Sequence, residues 1–62
     1  MPMIQITMLS GRTAEQKRKI ARRITDVMVE DAGAPRDGVD IAFYGVSREN
    51  YARSGVLMSD KK

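Results

Sequence analysis

Residues 3–16, MIQITMLSGRTAEQ, carry the signals of a strand, a turn and the start of a helix, in that order. Ile4, Ile6 and Met8 alternate with a less apolar set of neighbours, which is the two-residue period of a strand with one covered face. The run is also rich in the β-branched and apolar side chains that strands favour. We therefore predict a strand over residues 3–9, followed by a tight turn.

A helix is predicted after this turn. Thr13 and Gln16 have the spacing of a capping box, in which each side chain bonds to the other residue's backbone N–H. Apolar residues then recur at helical spacing, namely Ile20, Ala21, Ile24, Val27 and Met28. Gly33 suits the left-handed position at which many helices end, and Pro35 cannot continue a helix. The helix should therefore run over residues 14–32.

A second strand follows the helix. Val39, Ile41 and Phe43 alternate within residues 39–46, which predicts an extended segment. Strand, helix and strand at this spacing form a βαβ unit, whose two strands are parallel and joined by a right-handed crossover. The predicted fold class is therefore α/β.

The tail, residues 47–62, is mostly polar. Within it, Gly55-Val56-Leu57-Met58 could form a short strand or half of a hairpin. We find no repeat, linker or low-complexity tract, so a single domain over residues 1–62 is expected.

The chain is short for a core that folds alone. It has 62 residues, and a domain of this size buries only about 60% of the surface that its unfolded chain exposes. The absence of cysteine excludes disulfides, and without histidine a zinc site is disfavoured as well. We expect no metal and no cofactor. Apolar residues that one βαβ unit cannot cover, including Met3, Val29 and Val56, instead indicate an obligate oligomer.

Composition also indicates the class of protein and its expected location in the cell. With 42% hydrophobic and 31% charged residues, the sequence is typical of a globular protein rather than a disordered one. No apolar run approaches the ~18 residues of a membrane span, and no signal-peptide pattern opens the chain. We therefore expect a cytoplasmic protein without a membrane partner. The net charge of +3 is compatible with a small anion or with nucleic acid.

Pro2 is the principal candidate for proton transfer. Histidine, perturbed cysteine and the chain amino group are the usual groups that exchange protons near neutral pH, and this sequence lacks the first two. If Met1 is removed, as a small second residue normally permits, Pro2 presents a secondary amine whose ordinary pKa is about 8. Desolvation or a nearby cation would lower this pKa toward about 7, which suits a general acid and base.

Several short motifs, taken together, carry a resemblance to a known family. They are Pro2 directly after Met1, Gly11-Arg12, Glu15-Gln16-Lys17, Gly33-Ala34-Pro35, and Asn50-Tyr51-Ala52 followed by Gly55. With these motifs the whole chain resembles the 4-oxalocrotonate tautomerase family. The resemblance implies a βαβ protomer with a C-terminal hairpin, assembled as a trimer of dimers. It further implies a cofactor-independent isomerase acting on 2-hydroxydienoates or other enols of small 2-oxo acids, with amino-terminal Pro2 as general acid and base.

The resemblance also implies roles for further residues. Arg12 matches the family arginine that grips a substrate carboxylate in a site completed by a neighbouring subunit. Tyr51 matches an aromatic position that excludes water, and its hydroxyl could bond to a substrate oxygen. Leu9 would contribute through its backbone at the end of the first strand.

At one position the chain departs from the family pattern. Asp40 stands where the best-known members carry a second arginine, and an aspartate would repel an anion there. Arg53 or Arg48 might replace the missing cation at the substrate. Alternatively the substrate carries a single carboxylate, as an arylpyruvate enol does, or a partner chain of a hetero-oligomer supplies the arginine.

A hydratase or dehalogenase is an alternative activity within the same family. Members that hydrate and dehalogenate 3-haloacrylates use a glutamate one or two residues after the aromatic. Ala52 and Arg53 occupy those positions here, and Glu49 precedes Tyr51. Tautomerisation is therefore the favoured activity.

Nucleic-acid binding is the alternative from another class. Five cations lie within seven helical residues, at Lys17, Arg18, Lys19, Arg22 and Arg23. Small strand-helix proteins of the ribbon-helix-helix type bind DNA with a paired strand, but they require a second helix where residues 39–46 look extended. Glu15–Lys19 and Arg22–Asp26 have the spacing of ion pairs along a helix, so a solvated face is the favoured interpretation.

Overall fold

The computed structural model of the protein describes residues 2–61. Its helix and strands are β1 (Met3–Leu9), α1 (Ala14–Ala32), β2 (Asp40–Val46), β3 (Ala52–Arg53) and β4 (Val56–Leu57). Short 3₁₀ turns lie at Arg36–Gly38, Arg48–Asn50 and Met58–Asp60. The predicted βαβ unit and the C-terminal hairpin are both present.

β1 and β2 pair in parallel, with Met3 opposite Asp40 and Leu9 opposite Val46. A parallel pair needs a long crossover, which α1 supplies. The strand periodicity is confirmed, because Ile4, Ile6 and Met8 are partly covered whereas Met3, Gln5 and Thr7 on the other face are exposed. The sheet therefore has one covered and one open face.

The ends of α1 follow from its capping residues. The Thr13 N–H donates to the Gln16 side chain at 2.9 Å, and the Gln16 N–H donates to the Thr13 hydroxyl at 3.1 Å. These two bonds satisfy amide groups that have no partner within the helix. At the other end Gly33 adopts φ 71°, and its N–H donates to the Met28 carbonyl. Both predicted ends are confirmed.

The second strand begins one residue later than predicted. The 3₁₀ turn Arg36–Gly38 ends with the Val39 N–H donating to the Arg36 carbonyl. Because this bond closes the turn at Val39, pairing with β1 starts at Asp40.

The C-terminal hairpin differs in detail from the predicted segment. Its first strand, β3, was not predicted, and Met58 lies in a 3₁₀ turn rather than in a strand. Ser54 and Gly55 connect the strands with φ 55° and 80°. Positive φ at both central residues is the type I′ turn, whose twist matches that of a hairpin.

The protomer has no closed hydrophobic core in the residues described, since none of their apolar side chains is fully buried. Met3 is 55% exposed and Val27 is 50% exposed. Val27, which fits the apolar spacing of the helix, is thus uncovered in a single chain, whereas Val29, expected among the uncovered residues, is partly covered. The radius of gyration is 14.8 Å, against roughly 11 Å for a compact chain of this length. The protomer is open and elongated.

Candidate active site

Pro2 lies immediately before β1 and is half-buried. Its carbonyl accepts a hydrogen bond from the Asp40 backbone N–H at 3.1 Å, so the first residue of β2 fixes the backbone of Pro2. The expected removal of Met1 concerns a residue outside the described range. Asp40 itself is exposed, and its carboxylate has no ion pair within residues 2–61.

Arg12 lies on the loop between β1 and α1, and this loop is held at both ends. On one side the Ser10 N–H donates to the Val46 carbonyl at 2.8 Å. On the other side Thr13 caps α1. Arg12 is exposed, and no acidic partner of its guanidinium is found in the described part of the chain. The loop therefore presents a cation that is available to an anion.

Leu9 is the last residue of β1, and it pairs with Val46. Its backbone therefore lies at the same end of the sheet as Arg12. Its side chain is half-buried.

Pro2 and Arg12 lie at opposite ends of β1. The strand has seven residues, and at about 3.3 Å per residue it separates its two ends by roughly 23 Å. No side chain spans that distance. One chain therefore does not bring the predicted base and the predicted carboxylate clamp together.

The C-terminal tail holds the remaining predicted site residues. Tyr51 is half-buried, and its carbonyl accepts a bond from the Met58 N–H at 2.8 Å. Arg53 is exposed in β3. The elements of the tail contact chiefly one another rather than the βαβ unit. Tyr51 and Arg53 therefore belong to a tail whose larger contacts are within itself.

Arg48 has a structural contact that the sequence did not indicate. Its Nη2 donates to the Met58 carbonyl at 2.9 Å, which ties the start of the tail to its end. The two residues are ten positions apart and no periodic pattern connects them. Of the two arginines proposed to replace a missing cation, Arg48 is thus partly engaged, whereas Arg53 has no partner among the described residues.

The cationic part of α1 is largely a solvated surface. Arg18 pairs with Glu15 at 3.1 Å, and Asp26 pairs with Arg36 at 2.6 Å. The two predicted pairs along the helix, Glu15–Lys19 and Arg22–Asp26, are not formed. The Glu15 carboxylate instead pairs with Arg18, and the Asp26 carboxylate pairs with Arg36. A ribbon-helix-helix arrangement is excluded for residues 40–46, because that segment is a strand.

Residues 2–61 of a single chain enclose no pocket. In the same residues no group of three or more potential ligands is placed to hold a metal ion. None of their helices is both long enough and apolar enough to cross a bilayer. The predicted site residues therefore line no enclosed pocket in the described part of a single chain, and β1 separates Pro2 from Arg12.

Comparison with known proteins gives consistent matches over nearly the whole chain. The family model described as "Tautomerase enzyme" matches residues 2–61. A 2-hydroxymuconate tautomerase of Comamonas testosteroni is 41% identical over 90% of this chain and 89% of its own. The crystal structure of a 4-oxalocrotonate tautomerase homologue superimposes with a TM-score of 0.91 at 38% identity, covering 97% of this chain and 95% of that one.

A further solved structure bears on assembly. A heterohexameric 4-oxalocrotonate tautomerase from Chloroflexus aurantiacus matches with a TM-score of 0.91 at 27% identity, and the match covers 100% of both chains. The hexameric state is a property of that protein.

Proposed function

This chain belongs to the tautomerase family, a family of isomerases, and we propose that it converts enols of 2-oxo acids to their keto forms with the amino group of Pro2 as acid and base. The observation that carries the proposal is the family match over residues 2–61, which begins at Pro2. The absence of histidine and cysteine from the sequence supports it, since the amino group is then the remaining usual proton carrier near neutral pH.

The proposed reaction moves one proton and needs no redox partner. The Pro2 nitrogen takes the proton of the enol hydroxyl, and the oxygen electrons form the carbonyl double bond. The electrons of the carbon–carbon double bond then take the same proton back from the prolinium at carbon. One group can do both steps because a pKa near neutrality lets it accept and release a proton with little cost.

Arg12 is proposed to hold the substrate carboxylate. A planar guanidinium binds a carboxylate through two parallel hydrogen bonds, and Arg12 has no competing acidic partner in the described chain. Its positive charge would also stabilise the developing enolate and disfavour the protonated amine of Pro2. The Leu9 backbone, at the same end of the sheet, would contribute a further contact.

Tyr51 is proposed to close the site against water. A half-buried aromatic ring beside the amine would lower the amine pKa by desolvation, and its hydroxyl could bond to a substrate oxygen. Arg53 would add a cation from the same tail. Water exclusion strengthens each of these electrostatic contacts.

The proposed site is completed by other copies of the chain. Pro2 and Arg12 lie at opposite ends of β1, and the uncovered Met3 and Val27 need a covering surface. We infer a homo-oligomer, a trimer of dimers, in which one copy provides Pro2 and a neighbour provides Arg12. The heterohexamer formed by the Chloroflexus relative makes a mixed assembly with a second chain the alternative.

The proposed substrates are small anionic 2-hydroxydienoates and enols of 2-oxo acids. The name of the Comamonas relative, 2-hydroxymuconate tautomerase, supports this class. The test is ultraviolet monitoring of ketonisation with 2-hydroxymuconate and with phenylenolpyruvate. Pro2→Ala replaces the rigid secondary amine with a flexible primary amine of altered basicity, so we expect a loss of about a hundredfold in kcat, within the usual range for a general acid or base.

The dependence on pH provides a second test of the same proposal. The free amine is the form that takes the enol proton, so kcat/KM should rise as pH increases through the pKa of the Pro2 amine. Wild-type rates from Pro2→Ala would contradict the proposal, as would a flat pH profile.

A further inference from the structure

The two ends of the C-terminal tail are joined by hydrogen bonds that meet at Met58. The Met58 N–H donates to the Tyr51 carbonyl at 2.8 Å. The Met58 carbonyl accepts one bond from Arg48 Nη2 at 2.9 Å and another from the Lys61 N–H at 3.3 Å. The hairpin of β3 and β4 lies between these bonds. Residues 48–58 therefore form a closed loop that contains Tyr51.

Arg48 supplies the side-chain bond of this closed loop. It begins the 3₁₀ turn Arg48–Asn50, which directly precedes Tyr51, and its guanidinium reaches the first residue of the turn Met58–Asp60. The two turns contact each other. Within residues 47–61, this is the one hydrogen bond that a side chain forms. A bond from a guanidinium to a carbonyl is charge-assisted and therefore stronger than a neutral one.

Little else fixes the tail within one chain. β3 and β4 have two residues each, and an isolated two-stranded hairpin is at best marginally stable. Val56 is 44% exposed and Leu57 is 39% exposed, so apolar packing in the same chain holds the hairpin weakly. The placement of Tyr51 therefore depends largely on the bonds that close residues 48–58.

We propose that Arg48 is a positioning residue for Tyr51 and does not serve as a cation for the substrate. The inference rests on the proposed function, in which the Tyr51 ring closes the site against water. Arg48 bonds to the residue whose N–H holds the Tyr51 backbone, and its Nη2 is engaged in that bond. Without the bond, the ends of the tail separate more often, and the ring spends less time in the position that excludes water.

Steady-state kinetics with two substitutions separate positioning from substrate binding. Arg48→Met keeps the length of the side chain but removes its donors, whereas Arg48→Lys keeps a charged donor. With phenylenolpyruvate, Arg48→Met should lower kcat about fivefold to tenfold, less than the roughly hundredfold cost of a 1 Å misplacement, because the hairpin bonds remain. KM should change by less than about twofold, and Arg48→Lys should restore at least about half of the wild-type kcat. A raised KM with unchanged kcat would show that Arg48 binds the substrate and would overturn the proposal.

A double-mutant cycle tests whether Arg48 acts through Tyr51. Tyr51→Ala removes the ring, so adding Arg48→Met to that variant should lower kcat by less than about a further twofold. The full fivefold to tenfold loss in the Tyr51→Ala background, about the same as in the wild type, would refute the connection. Misfolding cannot imitate the expected result, because it lowers kcat in both backgrounds.

Tyrosine fluorescence reports on the ring independently of catalysis. The sequence has two tyrosines and no tryptophan, so Tyr44→Phe leaves Tyr51 as the single tyrosine. In this background Arg48→Met should raise the acrylamide quenching constant about 1.5-fold to twofold, because a looser tail exposes the ring more often. An unchanged constant would contradict the hold of Arg48 on Tyr51.

Glu49→Gln is the matched control. Glu49 is exposed in the same 3₁₀ turn, and its side chain forms no hydrogen bond or ion pair with the residues described. This variant should keep the wild-type kcat, KM and quenching, and an equal effect from it would overturn the assignment to Arg48. Raised quenching in Arg48→Met with wild-type kinetics would refute the positioning role. If the wild type converts no enol but Arg48→Met still raises quenching, the proposed function fails while the hold of Arg48 on Tyr51 stands.

Discussion

Mixing two impaired variants tests whether the site is shared between chains. β1 has seven residues, so the strand separates its Pro2 end from its Arg12 end by roughly 23 Å in one protomer. If each site takes Pro2 from one copy and Arg12 from another, then Pro2→Ala and Arg12→Ala chains can complement each other. Sites that combine the intact Pro2 of one variant with the intact Arg12 of the other should regain the wild-type arrangement.

The expected recovery follows from random assembly. In an equal mixture, about one quarter of the sites contain both intact residues, so about one quarter of the wild-type rate should return. The variants are mixed in denaturant and refolded together, and each is also refolded alone. Ketonisation of phenylenolpyruvate is then measured at equal protein concentration and at a substrate concentration well below the wild-type KM, where both single variants are slow.

A matched control mixes two variants that cannot complement each other. The double variant Pro2→Ala, Arg12→Ala is refolded with Pro2→Ala, and this mixture contains no intact Pro2. It should show only the residual rate of its components. If the complementing mixture also shows only the sum of its separate components, both residues act within one chain and the shared site is refuted.

Three further predictions concern the clamp, the helix and the assembly. Arg12→Ala should raise KM about tenfold to a hundredfold with a smaller effect on kcat, as loss of a charge-assisted hydrogen bond to the substrate predicts; steady-state kinetics with an unchanged KM would contradict this role. Thr13→Ala removes one bond of the capping box and should lower the free energy of unfolding by about 1 kcal/mol in denaturant titration, whereas a value near zero would mean that the cap does not support the helix. The α1 helices of two copies are proposed to pair antiparallel, so that the acidic end of each lies beside the basic start of the other. Glu30→Gln with Asp31→Gln would remove this attraction and should therefore weaken assembly, as measured by sedimentation. The same change removes unfavourable carboxylates from a helix C-terminus, so unchanged sedimentation together with higher helix stability would contradict the pairing.

The local structure of the βαβ unit was predictable because its signals are short-range. The capping box at Thr13 and Gln16 and the left-handed Gly33 depend only on residues within a few positions of each other. The alternation of Ile4 and Ile6 marks the covered face of β1 in the same way.

Other features depend on contacts that a linear pattern does not contain. Val27 fits the apolar spacing of α1, yet it is 50% exposed because one two-stranded sheet is too narrow to cover it. β3 has only two residues, and its pairing depends on a positive φ at Ser54. A serine in the sequence does not predict a positive φ. The bond from Arg48 to Met58 links positions without any periodic relation.

The sequence proposes a set of site residues but not their arrangement in space. Pro2, Arg12 and Tyr51 could be chosen from chemistry and from family motifs. The separation of Pro2 from Arg12 follows from the direction of β1, and Tyr51 lies in a tail that contacts chiefly itself. The folded chain adds a physical reason for the shared site that the resemblance implies, because β1 separates Pro2 from Arg12.

The most direct measurement is the intact mass of the protein that carries the ketonisation activity. Proton transfer by the Pro2 amine requires that the residue begin the mature chain. We predict that active material lacks Met1, and that alkylating the exposed amine abolishes turnover in proportion to the fraction modified. Full activity in material that retains Met1, or in material whose amine is completely blocked, would contradict the account.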